Sequence, residues 1–317
     1  MKPQLPVTIA LIIAEFDKRG VHWELTDSGS PSLFMQFADP TGRVRYLRAS
    51  LSDTSSAIGL QIADDKLMSA AVAKRLGLRT PETVVYQSFD KAADFARRYG
   101  QVVVKPLDSA HGNGVTVGVT AESLEAAIAN ARQFSKTVVL QQQVGGRDVR
   151  LLFIGGKLAA AAQRTPASVT GDGTHTVQEL ITETNASPDR GEKYQKKYNR
   201  IPEKAAQLFL GDKFTSVPAA GETVQVVGTA NGGTGGTAAD STDTVASDLV
   251  DAGRKLVNEL RLGVCGVDFI ASESGAYFIE LNTAPGFRMH HYPHEGQPRN
   301  VAAQFVDFVL SGKEFPW

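Results

Sequence analysis

Two apolar runs near the C-terminus, "GVCGVDFIAS" and "AYFIELNTAPG", each carry an acid where a buried strand would carry none. Asp268 stands between Val267 and Phe269, and Glu280 between Ile279 and Leu281. The runs read as two strands joined by a polar turn. Side chains alternate along a strand, so Asn282 shares a face with Glu280. An unpaired buried charge is costly, so these carboxylates need a counter-ion. Three oxygen donors converging from adjacent strands, Asp268, Glu280 and Asn282, suit a hard cation such as Mg²⁺. The plain alternative is a hairpin whose acids alternate outward to solvent.

A second stretch, "VVVKPLDSAHGNGVTVGV" at 102–119, ends one apolar run in a lysine and opens another after a glycine-rich loop. A lysine at a strand end is a fixed positive charge. Glycine N–H groups approach phosphate oxygens closely because no Cβ intervenes. Alone, this stretch reads better as an ordinary hairpin, since glycine loops are weak motifs. It is not a P-loop, because the lysine precedes the glycines. It is not a dinucleotide fingerprint, because no helix opens from the loop. With the carboxylate hairpin, it specifies a nucleoside triphosphate cleft.

Strands and helices alternate along the chain, which excludes a pure bundle or sandwich and predicts an α+β (α/β) protein. Residues 1–62 read as a small segment: a helix near 8–19, then strands at 21–25, 32–38 and 43–48, with "DPTG" turning the last pair. A helix is expected at 64–76, strands at 82–87 and 101–106, and helices at 90–99 and 121–134. "RDVRLLFIGGKLAAAAQRTPA" reads as a hairpin turned at Gly155-Gly156. Residues 165–245 are loop-rich, with a helix at 175–184, a basic stretch "RGEKYQKKYNR" expected on a solvated helix face, and the run "GTANGGTGGTAAD". Helices follow at 243–261 and 298–310.

The 317 residues exceed one ordinary core, so more than one domain is expected. A net charge of −1 gives no global field for nucleic acid or an anionic membrane. No apolar run reaches the roughly 18–20 residues that span a bilayer. The N-terminal run leads into Glu15 and Asp17, which reads as an amphipathic helix and not a signal peptide. One cysteine, Cys265, forms no intrachain disulfide and agrees with a cytoplasmic chain.

The order "DDK" at 64–66, "VVVKP" with its glycine loop, the segment "VVLQQQVGGRD", then Asp268 and the Glu280-x-Asn282 triplet resembles the ATP-grasp superfamily. "GRDVRLLFIGGKLAAAAQRTPASVTGDGTHTVQELI", "GTANGGTGGTAADSTD" and "NTAPGFRMHHYPHEGQPRNVA" look like the ATP-grasp half of cyanophycin synthetase. The related half of the bifunctional glutamate–cysteine ligase/glutathione synthetase is the next nearest. The resemblance covers about 55–310 and implies two α+β lobes gripping ATP: 63–137 as the first, and 138–317 as the second with the insert at 165–245. It implies that Lys66 and Lys105 hold ATP phosphates, with His111, Gly112 and Gly114 in the loop over them. In the adenine segment, Gln141 stands where an acid usually meets the adenine amino group. Val139, Leu140 and Val144 offer backbone and apolar surface, and Asp148 is the ribose carboxylate. Arg164 and Arg288 are the candidates for the transferring phosphoryl group.

The implied cofactors are ATP and Mg²⁺, with Mn²⁺ as substitute. The implied reaction phosphorylates a carboxylate and lets an amine displace phosphate, giving an amide. Its substrates are amino acids or short peptides, with no nucleic acid and no membrane, and a homodimer is the assembly considered. Two other readings are a regulatory nucleotide-binding subunit and a kinase that stops at the acyl-phosphate. Histidines 290, 291 and 294 suggest zinc, but substrate contact or loop packing is the better reading. The insert is expected to hold the acid substrate's carboxylate.

Overall fold

The computed structural model describes residues 5–26, 33–108, 114–273, 275–313 and 315. Helix α1 (Val7–Lys18) places Ile9, Ile12 and Phe16 on one buried stripe. It lies over an antiparallel meander: β1 (Trp23–Thr26), β2 (Phe34–Ala38), β3 (Val44–Arg48) and β4 (Leu51–Ser52). The β2–β3 turn is the expected one. The Asp39 carboxylate accepts from Thr41 N at 2.9 Å and Arg43 N at 3.1 Å, and Gly42 takes φ +84°.

The helix expected at 64–76 is α3 (Lys66–Arg75), and a helix that was not expected, α2 (Ala57–Asp64), runs directly into it. Asp65 breaks them. Its backbone is extended, and its carboxylate caps α3 by accepting from Leu67 N and Met68 N at 2.9 and 3.0 Å.

The first lobe is an antiparallel sheet ordered β5-β8-β6-β7. Its strands are β5 (Thr83–Val85), β6 (Val102–Pro106), β7 (Thr116–Val119) and β8 (Val138–Gln142), with α4 (Phe89–Tyr99) and α5 (Leu124–Arg132) on one face. Val102, Val104, Val138 and Leu140 point into that helical core. Strand β8 pairs with both β5 and β6, so the lobe extends past the boundary expected at 137.

The second sheet is antiparallel and five-stranded, ordered β15-β10-β9-β16-β17. Strands β9 (Arg147–Ile154) and β10 (Lys157–Thr165) form the expected hairpin, with Gly155 and Gly156 both at positive φ as a primed turn needs. Between β10 and β15 (Thr237–Asp240) the insert folds on its own core of Ala167, Val169, Val177, Ile181, Phe214 and Val226. It comprises β11 (Ser168–Thr170), α6 (Val177–Asn185), β12 (Arg190–Gly191), β13 (Tyr198–Asn199), α7 (Glu203–Leu210) and β14 (Thr223–Gln225), with 3₁₀ turns at Gly211–Thr215 and Gly232–Thr234. The basic stretch is therefore a turn between two short bridges and not a helix face.

Helix α8 (Ser247–Glu259) covers one face of this sheet, followed by β16 (Val264–Ser272), β17 (Gly275–Asn282), α9 (Arg288–His291) and α10 (Val301–Leu310). Leu151, Phe153, Cys265, Val267, Phe269 and Leu281 meet α8 there, joined by Ala63 and Ala73 of α2 and α3. Those two helices thus pack on the five-stranded sheet, not in the first lobe where the sequence put α3. On the opposite face Leu152, Ile154, Ala160 and Val264 pack with α1, α10 and the N-terminal meander. The rest of that face is polar.

Candidate functional site

Strand register assembles the polar face. Asp240, Ala162, Arg150, Asp268 and Glu280 oppose one another in a row across all five strands. Directly opposed residues of antiparallel strands share a face. Arg164 opposes Asp148 in the neighbouring row, and Asn282 opposes Gly266 on the other side. The strands therefore gather Asp148, Arg164, Asp268, Glu280 and Asn282 on one surface.

Asp268 is only 2% exposed. Arg150 grips it with two bonds, Nε to Oδ1 at 2.7 Å and Nη2 to Oδ2 at 2.6 Å. Arg164 donates to the same Oδ2 at 2.9 Å and to Asp148 Oδ1 at 2.7 Å. Burial pushes the Asp268 carboxyl up, but the two guanidiniums outweigh it and hold it at about 2. Burial pushes Asp148 up to about 6, against the pull of Arg164 and with the push of Asp268. Arg150 was not anticipated. The signal was present, because it follows Asp148 by two residues and so shares its face.

The first lobe presents its own polar face across the cleft. Lys105, Val139, Gln141, Thr83 and Val103 alternate away from the helical core. Lys105 is 8% exposed and donates to Gln141 Oε1 at 2.9 Å, while Gln141 Nε2 donates to Thr83 Oγ1 at 3.0 Å. Burial lowers the Lys105 ammonium to about 8, offset by Glu280, with Lys66 adding to the fall. Lys105 thus lies within electrostatic reach of Glu280 across the cleft and of Lys66. Lys66 opens α3 and reaches Leu107 O at 3.2 Å, tying α3 to the end of β6.

Two expectations change. The Gln141 carbonyl is taken by Lys105, so the residue braces that lysine. Leu140 points into the lobe core and cannot wall a base, whereas Val139 lies on the cleft face. Val144 sits half-buried in the connection between the lobes. His111 and Gly112 lie outside the described residues. Gly114 takes φ +72°, and a Cβ there would stand 2.5 Å from Phe134, so packing requires the glycine.

Arg288, the first residue of α9, lies elsewhere than Arg164, against the insert. It is 9% exposed and donates to Asn199 Oδ1 at 2.7 Å, Lys196 O at 3.2 Å and Gly232 O at 3.3 Å. Burial lowers it to about 10. Arg190 donates to Asn199 O at 2.7 Å. The basic stretch around Arg190–Arg200 was expected to suit an acidic substrate, but Tyr194 and Asn199 within it were not singled out, because nothing in a basic run announces a buried turn. The three histidines separate: His291 Nε2 accepts from Ala302 N at 3.2 Å, His294 Nδ1 accepts from Ala238 N at 3.3 Å, and His290 is buried. Among the described residues no three His, Cys, Asp or Glu are grouped to hold a metal.

The hard-cation donor set does fit the sheet. Glu280 opposes Asp268 directly, and Asn282 Nδ2 lies 3.3 Å from Asp268 Oδ2. Asp268 Oδ1 receives one hydrogen bond, from Arg150, and keeps a lone pair for a cation.

Residues 65–180 match the family model of the ATP-grasp domain of prokaryotic glutathione synthetase. The chain is 33% identical to cyanophycin synthetase of Nostoc sp. over 318 residues, spanning 96% of this chain and 35% of that protein. It is 26% identical over 324 residues to the glutathione biosynthesis bifunctional protein GshAB of Clostridium perfringens, spanning 97% of this chain and 41% of that one. The chain thus spans well under half the length of these curated relatives. Among solved structures, the bifunctional glutathione synthetase from Pasteurella multocida superposes with a TM-score of 0.68 at 24% identity, covering 98% of this chain and 44% of that one. The D-alanine–D-alanine ligase from Bacillus anthracis superposes with a TM-score of 0.51 at 14% identity, covering 81% of this chain and 69% of that one. Two antiparallel lobes with charged faces across a cleft, and a matching domain model over the lysine strand and the β9–β10 hairpin, lead to one conclusion: the chain has the ATP-grasp fold, and its residues 65–180 match an ATP-grasp domain.

Proposed function

We propose that the protein is an ATP-dependent carboxylate–amine ligase that joins an amino acid or short peptide to an amine through an acyl-phosphate. The observation that carries this reading is the facing of the buried Lys105 of the first lobe with Glu280, which opposes Asp268 on the second, while Lys66 at the start of α3 reaches the end of the same lysine strand. Phosphoryl transfer needs positioned charge more than covalent chemistry. In this reading Lys66 and Lys105 bind phosphate oxygens. Asp268, Glu280 and Asn282 would hold a divalent cation, which would supply neutralisation of phosphate charge. Arg150 and Arg164 fix the Asp268 carboxylate. Arg164 also holds Asp148, the proposed ribose partner.

The acid substrate is assigned to the insert. Arg288 is buried against neutral oxygens and has no carboxylate partner among the described residues. A carboxylate there would supply the missing charge. The test is ADP and phosphate release with a panel of amino acids and dipeptides, with mass spectrometry of the product. A phosphorylated acid without amide, or bound ATP that never turns over, overturns the reading.

A further inference from the structure

The insert contains a turn that its fold holds under strain. Lys193 and Tyr194 are consecutive non-glycine residues in the left-handed region, with φ of +51° and +60°. Such residues cost on the order of 1–3 kcal/mol each and persist where the surroundings over-determine them. Here the surroundings do so from two directions. Tyr194 N donates to Asn199 Oδ1 at 3.3 Å, and Tyr194 O accepts from Val7 N at 2.9 Å.

The strain aims one side chain. The Tyr194 ring lies over the Arg288 guanidinium, with the centroid 4.9 Å from Cζ. Its hydroxyl lies against the 3₁₀ turn Gly232–Thr234, where a Cβ on Gly233 would stand only 2.7 Å from Tyr194 Oη. Gly233 does not need its glycine for a positive φ. It needs it to leave room for that hydroxyl. Arg288 donates to Gly232 O in the same turn. A phenol oxygen and a buried guanidinium thus meet one glycine turn. Burial keeps the phenol protonated, with Arg288 and Arg150 acting against it, so the hydroxyl is a hydrogen-bond donor at neutral pH. Arg190 adds a second half-buried guanidinium through Asn199 O at 2.7 Å and Gly235 O at 3.4 Å, again on neutral acceptors.

We propose that Tyr194 is a substrate-contact residue, whose hydroxyl joins Arg288 in binding the carboxylate of the acid substrate at the Gly232–Thr234 turn. This deepens the ligase reading and rests on it only for what becomes of that acid. A guanidinium with a neutral hydroxyl donor recognises a carboxylate from two directions.

The test is isothermal titration of succinate into the full-length protein loaded with Mg²⁺ and AMP-PNP. Tyr194→Phe keeps the ring over Arg288 and removes only the hydroxyl. Gly233→Ala keeps the hydroxyl but displaces it. Each is expected to weaken succinate by roughly tenfold, as loss of a hydrogen bond to a charged group does, with AMP-PNP affinity unchanged. The double variant is expected to be no weaker than either single, because both remove one interaction. A merely structural tyrosine would give additive losses and lower affinity for the nucleotide. Equal succinate affinity in the native protein and Tyr194→Phe, or no saturable succinate binding by the native protein, overturns the proposal. If succinate binding shows the expected dependence but no amide ever forms, the ligase reading fails and the Tyr194 assignment stands.

Discussion

Glu280 is the residue at which metal-binding and structural roles separate most cleanly. Asp268 is locked by two arginines, so Asp268→Asn would leave Arg150 short of a counter-charge in a dry place and unsettle the sheet. Glu280 is half-buried at the cleft rim. Glu280→Gln is expected to leave the melting temperature unchanged while kcat falls by about a hundredfold or more, several kcal/mol of transition-state stabilisation. Near-normal turnover at saturating Mg²⁺ would remove Glu280 from the metal site. Lys105 needs a different substitution. Its stem is buried, so Lys105→Ala would open a cavity as well as delete the charge. Lys105→Met keeps the stem, and is expected to weaken ATP by roughly ten- to a hundredfold while leaving adenosine unchanged. Equal weakening of both in equilibrium binding would make Lys105 a structural residue.

At the scale of elements, legibility in the sequence tracks periodicity. The lysine strand, the glycine-pair hairpin and the carboxylate strands carry apolar alternation and clear punctuation, and each lies where the pattern put it. Helix α2 was missed because its eight residues, Ala57–Asp64, give barely two turns of pattern before Asp65 breaks the run. The insert's buried turn was hidden for a deeper reason. Left-handed Lys193 and Tyr194 are imposed by contacts from Asn199 and Val7, which no local rule contains. The glycine run shows the same limit. Its composition gives no sign of which glycines the fold itself requires: Gly235 takes φ +83°, and a Cβ on Gly236 would stand 2.9 Å from Thr165 O, so alanine at either position strains the fold. Gly232 is the clean probe, because a Cβ there lies 3.6 Å from Arg288 Nη2. Gly232→Ala is expected to raise KM for the acid several-fold, with unchanged KM for ATP and unchanged thermal stability. A rise in KM for ATP of the same size would place the turn at the nucleotide instead.

Across the whole molecule, the N-terminal segment braces the site. Thr8 Oγ1 accepts from Phe287 N at 3.1 Å, Ser50 Oγ donates to Pro285 O at 2.7 Å, and Val7 N holds Tyr194. The segment is fastened in turn to α10 through Glu15, which is 5% exposed. Its carboxylate accepts from Lys18 at 2.7 Å and Asn300 at 3.0 Å, and pairs with Arg19, which bridges to Asp307. Burial pushes the Glu15 carboxyl up, but the bonds from Lys18, Arg19 and Asn300 prevail and lower it from 4.5 to about 2. A carboxylate depressed on folding contributes stability that is complete above its unfolded value and is lost as pH falls toward its folded value. The window is therefore pH 4.5 down to about 2, and the contribution is roughly 3 kcal/mol. Glu15→Gln is expected to lower the melting temperature at pH 7 and to flatten its fall between pH 5 and pH 2. Because α1 carries Val7 and Thr8, the same variant is expected to speed amide exchange at Tyr194 and Phe287 at neutral pH. Parallel melting curves for the two proteins across that window, or unchanged exchange at both amides, would show that the N-terminal segment is held by its apolar core alone.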